Sequence, residues 1–124
     1  YDPPRVMIYL LIGVGAFFGA ISRFLLSSLL SKLVFLGFPL GTLTVNIIGC
    51  FFIGFFLAIN LSNKELFSPL LIIGFLGSFT TFSAFTKEVL FFSTTSGIFM
   101  AYFMALIITS VCLLSTFIGY KMFA

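Results

Sequence analysis

The stretch GFLGSFTTFSAFTKE, residues 74–88, decides how the 124-residue chain is read. Gly74, Gly77, Ser78, Thr80, Thr81, Ser83 and Thr86 crowd into it, between phenylalanines and inside a longer apolar run. Lipid does not tolerate that density of polar and helix-weakening residues unless protein covers them. Outward from this stretch the chain is 61% hydrophobic and only 7% charged, far from the composition of a soluble domain. A hydrocarbon core about 30 Å thick asks for roughly 20 apolar residues per helix, so four crossings with short loops consume the chain. The expected fold is an all-α integral membrane domain with spans at about 7–30, 40–59, 69–92 and 98–122.

Span one carries Gly13, Gly15 and Gly19 early, then Ser22, Arg23, Ser27 and Ser28, and residues 31–39 form a connector. Span two is interrupted by Gly41, Thr42, Thr44, Asn46, Gly49 and Gly54. Residues 60–68 (NLSNKELFS) read as a polar loop, with Pro69 in the first helical turn, where a missing N–H is tolerated. Residues 93–97 read as the turn before span four. No cleavable signal peptide is expected, because the first apolar run has no small-residue cleavage site.

An even number of spans puts both termini on one side, with Tyr9 and Tyr120 as aromatic anchors. Arg5, Lys64 and Lys121 fall on that side and Arg23, Lys32 and Lys87 on the other, so the positive-inside rule selects no orientation. That balance permits insertion both ways. The cations are scattered, which excludes a nucleic-acid surface. Soluble enzyme chemistry lacks the means: there is no histidine, and the side-chain carboxylates are Asp2, Glu65 and Glu88. Cys50 and Cys112 sit in apolar runs without CxxC spacing and read as small packing residues.

Four helices of this size leave little room for an aqueous path within one chain, so a conduit implies an oligomer. Gly15 and Gly19 have GxxxG spacing, which serves packing within the chain or between copies. Phe82 and Phe85 share a helix face, with Ser83 and Thr86 on the neighbouring one. Aromatic edges carry partial positive charge and hydroxyls donate hydrogen bonds, so the stripe can replace part of the water shell of a small anion. Asn46 must be paired if buried, either as an interhelical bond or as a pore-lining donor. Gly77 and Thr80 read from the residues as a kink. Arg23 reads as snorkelling to the interface, Glu88 as half of a solvated pair with Lys87, and Tyr102 and Ser110 as a polar lining on span four.

GVGAFFGAISRF (13–24), GTLTVNIIGCFFIG (41–54) and GFLGSFTTFSAF (74–85) together resemble the three signature stretches of the CrcB/Fluc fluoride channels, in order and across nearly the whole chain. The resemblance implies a dual-topology, antiparallel homodimer with a broken third helix, in the cell membrane, that lets fluoride leak out and so protects against its toxicity. It implies Phe82 and Phe85 as an aromatic box, Asn46 as an amide near the pore entrance and Ser83 as part of a polar track. It also implies that the Gly77 and Thr80 carbonyls hold a structural Na+ at the dimer centre, and it aligns Arg23 with a family arginine. Ala84 and Leu106 depart from the family pattern, each apolar where a hydroxyl is expected. The competing readings are a proton-coupled exporter like the small multidrug-resistance proteins, which needs an embedded carboxylate, and a non-conducting assembly subunit. Spans one and two contain no Asp or Glu.

Overall fold

In a computed structural model, residues 3–59 and 64–124 are described. The helices are α1 (Arg5–Leu29), α2 (Gly41–Ala58), α3 (Lys64–Phe67), a π-helical stretch (Ser68–Leu76), α4 (Gly77–Phe79), α5 (Phe82–Ser96) and α6 (Ile98–Phe123). Among the described residues, four helical runs, the third being Lys64–Ser96, are long and apolar enough to cross a membrane.

The third run begins earlier than the expected residue 69. Residues 64–67 of the expected polar loop are helical, whereas residues 60–63 lie outside the described part. Pro69 therefore falls inside the run, at the switch to π winding. There its missing N–H and its ring conflict least with the carbonyl one turn back, since wider winding relieves the clash of an ordinary α-turn. The turn expected over 93–97 shrinks to Gly97 alone, whose φ of +88° only glycine adopts freely. The connector 31–39 contains a small hairpin, Val34–Phe35 against Phe38–Pro39. Its two central residues, Leu36 and Gly37, both have positive φ, as a two-residue hairpin turn demands. The hairpin delivers Phe38 into the interior, edge-on to Phe92 at 5.5 Å.

Alternate spans pair. α1 lies along the π-helical stretch and α4, and α2 lies along α6. A Cβ built on Gly15 would strike the Leu70 carbonyl, and one on Gly19 the Phe75 carbonyl. Farther along the same interface, Arg23 reaches Ser78. Both helices advance together, so the pair is parallel. In the second pair, Cβ atoms on Gly54 and Gly119 would strike the backbones of Thr116 and Phe51. Between helices in lipid there is no hydrophobic drive, and close backbone approach through small residues supplies the van der Waals packing instead. The GxxxG pair of α1 is thus used within the chain.

The polarity of the interior follows from the same solvent. Large apolar side chains such as Phe17, Phe99 and Phe103 are exposed, while Thr42, Asn46 and Ser115 are buried. On α2 the buried residues Gly41, Thr42, Val45, Asn46 and Gly49 form one stripe at four-residue spacing. That stripe faces the third run and aims Asn46 at residues 80 and 81.

Candidate functional site

The site is organised by two residues that leave the helical region. Thr80 has φ −80° and ψ 150°, and Thr81 has φ −147° and ψ 128°. β-branched residues favour such extended backbone, and Thr81 caps the helix that follows by accepting from the Ala84 N–H at 3.3 Å. The departure frees main-chain groups in the middle of a membrane protein, where each must be satisfied. Asn46 does this for Thr81 on both sides. Its Nδ2 donates to the Thr81 carbonyl at 2.9 Å, and its Oδ1 accepts from the Thr81 N–H at 2.8 Å. Of the two readings open for Asn46, the interhelical bond is therefore made, although the side chain also borders a cavity.

Arg23 does not snorkel. Its Nε donates to the Ser78 carbonyl at 3.1 Å, one of the last carbonyls of α4, which have no helical donor ahead of them. Glu88 is likewise not a solvated partner of Lys87. It accepts from the Thr42 hydroxyl at 2.8 Å, and its other oxygen is buried without a partner among the described residues. The reason is the α2 stripe, which carries Thr42 one turn before Asn46 and so presents it to α5.

Asn46, Thr80, Thr81, Phe82 and Phe85 line one cavity of about 250 Å³, closed on the α6 side by Thr109 and Cys112. Phe82, Phe85 and Thr109 also border a groove of about 440 Å³ between α5 and α6, which takes in Thr86, Tyr102 and Leu106. The two spaces thus share a wall. The two rings lie 5.8 Å apart, tilted at 54°. Phe85 is 8% exposed and Phe82 74% exposed, so one ring is held by the chain and the other projects from it.

Two of the residues expected to line the pore border neither space. Ser83 is exposed and outside the cavity, with its hydroxyl 3.5 Å from that of Thr81. Ser110 is exposed and lines neither space, whereas Thr109 lines both. At about 100° per residue, Thr109 returns to within about 20° of Tyr102, and Ser110 overshoots by about 80°. The seven-residue spacing was the signal for Thr109. Ala84 belongs to a third space of about 380 Å³, beside Arg23, Lys87 and Glu88. Its missing hydroxyl is thus on the opposite side of α5 from the rings.

Residues 10–120 match the model of the family described as CrcB-like protein, Camphor Resistance (CrcB). The chain belongs to that family. Among CrcB relatives, a Campylobacter lari protein named fluoride-specific ion channel FluC is 44% identical over 121 residues, covering 92% of this chain and 95% of its own length. A Nitratiruptor sp. protein of the same name is 48% identical over 80 residues, 64% of this chain and 62% of its own, so that match spans less than two thirds of the relative. Another of that name, from Chlorobium phaeobacteroides, is 46% identical over 92 residues, 71% of this chain and 70% of its own. The resemblance carried by the three glycine-rich stretches is thereby established.

Proposed function

We propose that the chain is a fluoride-selective channel, a multi-pass protein of the bacterial cell membrane that passes fluoride passively and performs no catalysis. The observation that carries this reading is a CrcB relative named as a fluoride-specific channel that aligns along 95% of its own length. The cavity chemistry agrees with it. Fluoride holds its water tightly, so a path for it must offer replacement contacts in several steps rather than one strong cation. Phe82 and Phe85 line the two adjoining spaces with aromatic rings, and Thr81, Thr86 and Thr109 line them with hydroxyl-bearing side chains. At the separate third space Arg23 and Lys87 outnumber Glu88, and that positive excess attracts anions to the protein.

The conducting unit in this reading is an antiparallel homodimer. Half of a wall is what one chain offers: Phe82 projects 74% exposed from a space that is open on that side. A second copy would supply the facing surface. The interruption at Thr80 and Thr81 is then a functional break in the third span.

A structural Na+ belongs to the same proposal, held by the Gly77 and Thr80 carbonyls of two copies. The donor set fits a hard monovalent cation, being neutral oxygens only. The Thr81 N–H, which would otherwise bond the Gly77 carbonyl, goes to Asn46, and the Ala84 N–H, which would bond that of Thr80, goes to the Thr81 hydroxyl. Such an ion would fix the two copies at their shared centre, and the residues of this chain that keep those carbonyls available are Asn46 and Thr81.

The test is fluoride efflux from proteoliposomes, read with a fluoride electrode. Rapid passive efflux with chloride excluded is expected. Drug–proton exchange, or no fluoride permeation from well-folded protein, would overturn the reading.

A further inference from the structure

Cys50 on α2 and Cys112 on α6 are far apart in sequence, and the parallel packing of these helices brings them together. The register is set one turn further along both helices, where a Cβ on Gly54 would strike the Thr116 carbonyl; Cys50 and Cys112, each four residues earlier, lie level across the same interface. Both cysteines are free and half-buried, and both line the cavity shared with Asn46, Thr80, Phe82 and Phe85. The fluoride reading uses neither.

Two sulfurs facing one small space are a soft donor set, and soft donors select soft ions. Zinc would ask for four ligands, and no cluster of three or more His, Cys, Asp or Glu exists among the described residues. A two-coordinate ion remains. Charge narrows the choice further. Binding releases one proton from each thiol, so a monovalent ion between two thiolates leaves a net negative charge in a membrane interior, whereas a divalent one leaves a neutral complex. Uncompensated charge is costly there.

We propose that Cys50 and Cys112 form a two-sulfur binding site for a soft divalent d10 cation of the Hg2+ type. Two S–H bonds break, two sulfur–metal bonds form, and two protons leave to solvent, with no change in oxidation state. A second consequence rests on the fluoride-channel reading: an ion seated beside Phe82 and Phe85 obstructs the anion path.

The binding arm uses the reduced full-length protein in detergent, titrated with mercuric acetate in chloride-free buffer, with the remaining thiols counted by a colorimetric disulfide reagent. The expected result is loss of both thiols at one Hg2+ per chain, with chains migrating singly on a non-reducing gel. Cys50→Ser and Cys112→Ser should each weaken binding roughly 100-fold against a competing monothiol, since the second sulfur acts intramolecularly. Cys50→Ala and Cys112→Ala serve where serine prevents folding. Uptake of two Hg2+ per chain, one thiol left reactive at one equivalent, or a mercury-linked pair of chains would overturn the site. The flux arm is separate. Hg2+ should block fluoride efflux, reversed by dithiothreitol and absent in the double variant; one Hg2+ per chain with undiminished efflux upholds the site and counts against the cavity lying on the fluoride path.

Discussion

Replacing Asn46 by leucine removes the polar groups that satisfy Thr81 while keeping the branched skeleton and heavy-atom count of the side chain. Two hydrogen bonds disappear, one of 2.9 Å to the Thr81 carbonyl and one of 2.8 Å from its N–H. Hydrogen bonds between membrane helices average about 0.6 kcal/mol, so the pair sets a floor of about 1.2 kcal/mol. The ceiling comes from leaving buried groups unpartnered, at about 1–3 kcal/mol each, which gives about 6 kcal/mol for the two. The assay is an unfolding titration in detergent micelles comparing wild type, Asn46→Leu and Thr44→Val. The last is the control, because the Leu40 carbonyl that loses the Thr44 hydroxyl keeps the Thr44 N–H at 2.9 Å. Asn46→Leu should fall within those bounds and Thr44→Val should stay close to wild type. Equal stability of the two variants would refute the claim that Asn46 carries the extended segment.

The two rings should separate in a stability assay and agree in a flux assay. Phe82→Ile, at a position 74% exposed, should leave the unfolding midpoint almost unchanged, Phe85→Ile, at 8% exposure, should lower it, and both should cut fluoride efflux. Gly19→Val should prevent stable folding, measured as monodisperse yield, because its side chain would strike the Phe75 backbone; Gly13→Ala meets nothing within 4 Å and should stabilise by up to about 1 kcal/mol through helix propensity. Thr109→Val should slow fluoride efflux more than Ser110→Ala does, since Thr109 borders both adjoining spaces and Ser110 borders neither. Ser115→Ala, which releases the Ile47 carbonyl from its 2.9 Å bond, should cost about 0.6 kcal/mol in the same unfolding titration.

Residue types that act through the backbone were legible before any coordinates. Gly97 marks a turn that its positive φ requires, and the GxxxG pair of α1, Gly15 and Gly19, marks close approach. Pairings across the fold were not. Arg23 and Glu88 each look like surface charges by position alone, and both turn out to have partners, Ser78 and Thr42, from other spans. Ser110 lines neither space where its neighbour Thr109 lines both, because a one-residue step on a helix turns the side chain by about 100°, enough to carry a hydroxyl out of the groove. The hairpin at residues 34–39 was missed because its signal is a single Gly37 among apolar residues, with Leu36 carrying the other positive φ.

Solvent class and span number were set by the sequence alone, because a bilayer fixes the length and polarity of anything that crosses it. The family was set there too, since three short glycine-rich stretches in order are specific enough to name it. The tertiary structure alone decided that spans pair in parallel as one with three and two with four. It also decided that Asn46 is spent on Thr81, and that two cysteines with unremarkable spacing meet in one cavity. The physical reason is that partnership between helices depends on their relative rotation and axial shift, which small residues permit but which no single span encodes.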